Sequence, residues 1–186
     1  MTRHIRFVHA ALIFAMVAMP LMTMHPAAAA SGDELDRDVE AALKSLYHTQ
    51  PKAKGLGAMA KGILVFPNVV KAGFVVGSQY GEGALLVNGK TVGYYNIAAG
   101  AYGVQAGVQK FAYVMFLMTD STMDYFEKSN GMEIGMGPSI VVVDAGMART
   151  FTTTTAKADI YAFIFGQKGL MAGLGVKGSK LTKIDK

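Results

Sequence analysis

The sequence AGFVVGSQYGEGALLVNGKTVGYYNIAAGAYGVQAGVQ, residues 72–109, decides the fold of this chain. Its apolar and β-branched residues form short runs that glycine interrupts too often for a helix. At its centre lies Asn88-Gly89, a dipeptide that accepts positive φ at both positions, as a two-residue hairpin turn requires. The stretch therefore predicts a β-hairpin between residues 72–87 and residues 90–109.

Further β-type runs surround this hairpin. They cover residues 62–67, 110–118, 140–144, 149–155, 159–165 and 170–176. Three pairs of glycines lie four residues apart, which places both members on one face of a strand: Gly73 and Gly77, Gly103 and Gly107, and Gly169 and Gly173. Glycine at such positions permits sharp bending or close approach of a backbone. The pairs predict the corners of a partly closed barrel; a groove for an acyl chain is the alternative.

A helix is predicted over residues 31–49. Its apolar residues recur every three or four positions and acidic residues fill its first turns, which complements the helix dipole. Ser31 or Asp33 is the candidate N-cap, and Pro51 with Gly55 marks the end. We expect this amphipathic helix to pack its apolar stripe on the sheet; contact with a membrane or a partner is the alternative.

Residues 120–128 predict a second, short helix. Residues 31–186 are long enough for one domain with a sizeable core, and the absence of cysteine means that packing alone stabilises it. The predicted fold class is therefore α+β, with a strongly curved, mostly antiparallel β-sheet or a partly closed small β-barrel.

Residues 1–30 carry the pattern of a secretory signal peptide. Arg3 and Arg6 precede an apolar run over residues 7–22, and the segment ends in Ala28-Ala29-Ala30, which matches the A-x-A pattern of signal cleavage sites. The run is short for a membrane anchor, and Pro20 interrupts it. We expect cleavage near Ala30 and a periplasmic or secreted protein.

Little in the sequence indicates catalysis. His48 is the only histidine after the signal segment, so neither a His/Cys metal site nor a histidine-based triad is expected. Residues 173–178 match G-x-G-x-x-G, but too little chain follows for a dinucleotide-binding unit. Glu82 and Asp144 could form a hydrolytic carboxylate pair, yet a structural role is expected for each. We therefore expect no enzyme, no catalytic residue, no metal and no cofactor.

Two separated motifs of this chain carry a resemblance to a known family. The first is YGEG at residues 80–83, preceded by GILVFPNVVKAGFVVG at 62–77; the second is YAFIFGQKGLMAG at 161–173, followed by Gly178-Ser179. Both resemble the motifs of the SYLF domain family, and the resemblance spans residues 35–183. Its predicted structural motif residues are Tyr80, Gly81, Glu82, Gly83, Gly169 and Gly173.

The resemblance implies membrane-lipid binding, which includes phosphoinositides in eukaryotic members, and actin binding in some fungal members. Gly166 stands where many members have a serine, and the tail ending in tyrosine and glycine of eukaryotic members is missing. Phosphoinositide and actin specificity are therefore not expected to carry over. An exported protein is expected to meet anionic phospholipids instead.

The charge distribution is compatible with this expectation. The net charge is +5, and Arg3 and Arg6 of the signal supply part of it. The remaining excess suits an anionic membrane surface and is too small to indicate nucleic acid. No acidic residue lies between Glu40 and Glu82. The predicted lipid-binding residues are Lys52, Lys54, Lys61, Lys71, Lys168 and Lys177.

The sequence thus predicts an exported, non-catalytic protein of the cell envelope that binds anionic membrane phospholipids peripherally. The alternative is a structural or protein-partner module of the envelope without lipid binding. The threonines of residues 152–155 favour that alternative if they form an uncovered edge strand.

Overall fold

The computed structural model describes residues 30–129, 131–134, 136–143, 158–169 and 178–186, without the side chains of residues 74, 75 and 101–106. The strands predicted at 149–155 and 170–176 lie outside the described residues, as do Asp144, the threonines of residues 152–155, Gly173 and Lys177.

The described residues form three helices and six strands. In chain order these are α1 (Gly32–Thr49), α2 (Pro51–Met59), β1 (Gly62–Val87), β2 (Lys90–Leu117), α3 (Asp120–Ser129), β3 (Gly131–Glu133), β4 (Ile140–Val143), β5 (Ile160–Gly169) and β6 (Lys180–Ile184).

The centre of the fold is the long antiparallel hairpin of β1 and β2. Asn88 has a φ of 51° and Gly89 a φ of 75°, so the predicted hairpin turn is confirmed. The runs predicted as separate strands are continuous on each side of this turn. A register shift between Phe66 and Val69 accommodates Pro67, because a bulge does not need the backbone N–H that proline lacks.

β1 bends back on itself between Gly73 and Gly77. A Cβ on Gly73 would overlap the Cα of Gly77, although residues four apart in a straight strand are about 13 Å apart. Beyond the bend, a Cβ on Gly81 would lie 3.0 Å from the Cα of Val69. The two arms of β1 therefore face each other. β2 follows the bend, since its pairing with β1 continues on both sides.

The other edge of β2 pairs antiparallel with two strands, β6 along the first half of β2 and β5 along the second half. β3 pairs antiparallel with β6, and β4 pairs parallel with β5. The described strands thus form a mixed, curled half-barrel that is mostly antiparallel, and the predicted α+β fold class is confirmed.

The two predicted helices are confirmed, and the structure adds a third. In α1, the Ser31 hydroxyl accepts a hydrogen bond from Glu34 N at 3.3 Å, as an N-cap does. α3 extends to Ser129 and confirms the short helix. α1 ends at Thr49, just before Pro51, as predicted, but Pro51 begins a second helix, α2, which was not predicted. Proline suits a first helical position, where its missing N–H would have no partner anyway.

The side chains along the strands point alternately into two hydrophobic layers. The inner layer lies between the arms of the bent hairpin and contains Leu64, Phe66, Val69, Leu85, Ile97, Phe111, Tyr113 and Met115. The outer layer lies under α1 and α2 and contains Leu35, Val39, Leu46, Leu56, Val65, Val114, Phe116 and Phe163. α1 thus packs its buried residues on the sheet of its own chain.

Candidate functional site

The YGEG segment, residues 80–83, lies in the second arm of β1. Gly81 and Gly83 face the first arm, where the backbones approach closely. Tyr80 and Glu82 face the other side of the strand, and the Tyr80 hydroxyl donates to Glu82 Oε1 at 2.9 Å. Burial, and then the hydrogen bond to the negatively charged Glu82, raise the pKa of Tyr80.

Glu82 also forms an ion pair with Lys186. Lys186 Nζ lies 2.6 Å from Glu82 Oε2, and the two side chains are only 7% and 19% exposed, respectively. The same Nζ donates to the backbone carbonyl of Ala30 at 2.7 Å. Both carboxylate oxygens of Glu82 are therefore engaged, and the contacts join the residues around α1, β1 and β6.

The predicted lipid-binding lysines that the structure describes lie on different elements of the fold. Lys52 and Lys54 are exposed on α2. Lys61 Nζ lies 3.3 Å from Asp120 Oδ1, so an acidic residue of α3 partly offsets its charge. Lys168 is exposed on β5.

Lys71 is buried, with an exposed fraction of 8%. Its cross-strand partner is Gln109, which is buried as well, and both face inward because side chains alternate along a strand. This burial is incompatible with a place on a membrane-facing surface, and it corrects that prediction for Lys71.

Lys168 lies beside a lysine that sequence reasoning missed. Lys110 of β2 and Lys168 of β5 are direct cross-strand partners, and both are exposed. They border a cleft of about 380 Å³ between α1 and the sheet, whose lining includes Ala42, Pro67 and Phe165. Like charges opposite each other destabilise a sheet. Asp38 of α1 lines the same cleft and offsets part of this charge, and an anionic ligand would offset more of it.

Two exposed valines adjoin the paired lysines. Val70 is the cross-strand partner of Lys110, and Val108 precedes Lys110 by two residues on the same face. Their exposed fractions are 43% and 60%, respectively. We call Val70, Val108, Lys110 and Lys168 the valine–lysine face. It lies on the outer side of the sheet, and its two lysines border the cleft beside α1.

The described residues include no group of three His, Cys, Asp or Glu side chains that could hold a metal ion. In the same part of the chain, every helix is too short or too polar to cross a membrane.

These observations define a curled α+β half-barrel with an amphipathic outer face, and comparison with known proteins finds a family match for the second part of the chain. Residues 98–186 match the Ysc84 family, described as Las17-binding protein actin regulator. Ysc84 and SYLF denote the same domain family, so the match confirms the predicted resemblance over these residues. It is consistent with a module that binds lipids or an actin regulator. The YGEG segment precedes the matched residues. No curated protein matches the chain significantly.

Proposed function

We propose that this protein is an exported, non-catalytic lipid-binding protein of the cell envelope, which docks peripherally on membranes that contain anionic phospholipids. The observation that carries the proposal is the valine–lysine face. The match to the SYLF family supports a lipid-binding role in general.

The chemistry of this face suits a membrane interface. Val70 and Val108 offer apolar side chains that gain free energy when they leave water. Lys110 and Lys168 stand beside them, and long lysine side chains can keep their ammonium groups at the level of the phosphates. Each lysine close to an anionic leaflet contributes about 1 kcal/mol.

Replacing Lys110 and Lys168 together by glutamine should weaken binding to anionic vesicles about thirtyfold, because the two lysines contribute about 2 kcal/mol in total. Vesicle sedimentation at low salt measures this change. The matched control is Lys52→Gln with Lys54→Gln, which removes the same charge from α2 and should change binding much less.

High salt should reduce binding by the parent protein and should affect the Lys110→Gln/Lys168→Gln variant less, because salt screens the same attraction. Equal losses of affinity in the two double variants would mean that only net charge matters, and would contradict docking through the valine–lysine face. Undiminished binding by the Lys110→Gln/Lys168→Gln variant would also contradict it.

The signal-peptide pattern of residues 1–30 is the basis for proposing export. Export in turn determines which membrane the protein meets. Cleavage after Ala29 would keep the Ala30 carbonyl that accepts a hydrogen bond from Lys186, whereas cleavage after Ala30 would remove it. We expect the exported protein to begin at Ala30 or Ser31, and intact-mass measurement of periplasmic protein tests this. A mass that still includes residues 7–22 would contradict export with cleavage.

A protein-partner module of the envelope is the second candidate. The description of the matched family favours it, because that description names a protein-binding actin regulator. In the described residues β1 pairs only with β2, which leaves a strand edge that a partner chain could extend. Failure of the parent protein to bind anionic vesicles would favour this candidate.

A further inference from the structure

A row of four side chains crosses the sheet at some distance along β1 from the valine–lysine face. Tyr80 of β1 pairs with Ala98 of β2, Ala98 pairs with Lys180 of β6, and Lys180 pairs with Glu133 of β3. Direct cross-strand partners lie on the same face of a sheet. The four side chains therefore stand in line on one surface, with neighbouring strands about 4.8 Å apart.

A groove of about 540 Å³ lies along this row. Ala98 and Gly100 line it, and a Cβ placed on Gly100 would have no atom of the described residues within 4 Å, so small residues keep this part of the groove open. Ser78 and Tyr80 line it from β1, and Glu133 and Lys180 line it from the other strands.

The described lining of the groove contains one positive and one negative side chain, and the two do not form an ion pair with each other. Lys180 and Glu133 are exposed cross-strand partners, yet the ion pairs within 4 Å among the described residues do not include them. A simple anion would be repelled by Glu133, and a simple cation would be repelled by Lys180. A ligand that carries both charges close together would complement both.

We propose that this groove binds a zwitterion of the phosphoethanolamine class. The phosphate accepts hydrogen bonds from Lys180 and the Ser78 hydroxyl, and the primary ammonium donates to the Glu133 carboxylate. Two carbon atoms separate the phosphate ester oxygen from the ammonium, which suits charges on adjacent strands. A trimethylammonium group fits less well, because it cannot donate hydrogen bonds and Tyr80 is the only aromatic ring among the described residues of the lining.

Titration with soluble O-phosphoethanolamine, followed by calorimetry or NMR, tests the proposal. Lys180→Gln and Glu133→Gln should each weaken binding by about tenfold or more, because each removes a charge-assisted hydrogen bond. The matched control is Lys183→Gln, on the same strand but outside the groove lining, which should bind as the parent does. Melting temperatures near that of the parent show that the variants are folded.

Phosphocholine, ethanolamine and inorganic phosphate should each bind at least about tenfold more weakly than O-phosphoethanolamine. Equal binding of inorganic phosphate, or no effect of Glu133→Gln, would overturn the proposal and leave Lys180 and Glu133 as an ordinary cross-strand charge pair.

Vesicles without net charge separate the two sources of this headgroup. Tighter binding to phosphatidylcholine vesicles that include phosphatidylethanolamine, lost in the Glu133→Gln variant, would identify a lipid headgroup. Binding of the soluble compound alone would identify a free phosphoethanolamine compound. The Lys110→Gln/Lys168→Gln variant should keep its affinity for the soluble compound, so this proposal can fail or succeed independently of docking on anionic membranes.

Discussion

Replacing Lys186 by methionine is expected to lower the free energy of unfolding by about 3 kcal/mol, because it leaves the largely buried carboxylate of Glu82 without its positive partner. The change also removes the hydrogen bond to the Ala30 carbonyl. Breaking a fully buried ion pair costs about 3 to 5 kcal/mol. We expect the lower value here, because the Glu82 side chain is still 19% exposed. Urea unfolding at neutral pH measures the loss.

The matched control for this experiment is Lys128→Met. Lys128 Nζ lies 3.5 Å from Asp124 Oδ2, but the two side chains are 79% and 63% exposed, and such a pair contributes no more than about 0.5 kcal/mol. Adding Glu82→Gln to Lys186→Met should recover part of the lost stability, because it removes the unpaired charge. Similar stabilities of the Lys186→Met and Lys128→Met variants would contradict the structural role of the Glu82–Lys186 pair.

Gly83→Ala is expected to destabilise the protein by about 3 kcal/mol, because overpacking between closely apposed backbones cannot be relieved by a side-chain rotation. A Cβ at this position would overlap the carbonyl oxygen of Val65 and lie 2.7 Å from Cδ1 of Phe66. One arm of β1 would have to move away from the other, which would open the inner layer. Thermal or urea unfolding measures the effect.

Gly100→Ala provides the comparison, since no atom of the residues that the structure describes lies within 4 Å of a Cβ there and the strand conformation suits alanine. It should change stability by no more than about 0.5 kcal/mol. If Gly83→Ala proved as stable as Gly100→Ala, the two arms of β1 would not approach each other as described.

Most of the local structure follows from short-range sequence patterns. Asn88-Gly89 predicts its own turn because both residues tolerate positive φ, and Ser31 predicts an N-cap because its hydroxyl replaces a missing backbone acceptor. Pro51 marks the end of α1 as predicted, but α2 was not predicted, because proline after one helix is equally compatible with the start of another.

The candidate site follows much less from the sequence. The sequence around Lys71 is like that around an exposed lysine. Its side chain faces inward because side chains alternate along β1, and the bulge between Phe66 and Val69 sets which residues of that alternation face the core. No sequence pattern around Lys110 marks it as a candidate site residue, because its role depends on pairing with Lys168, 58 positions later. That pairing in turn depends on the register shift between Lys110 and Ala112 in the pairing of β2 with β5.

By itself, the sequence determined the central hairpin, α1, α3 and the α+β class, because propensity, capping and turn geometry act over a few residues. Only the tertiary structure decided that β1 folds back on itself, that Glu82 meets Lys186, and that Lys110 stands beside Lys168. These arrangements depend on strand register, and a shift of one residue moves every side chain to the opposite face of the sheet.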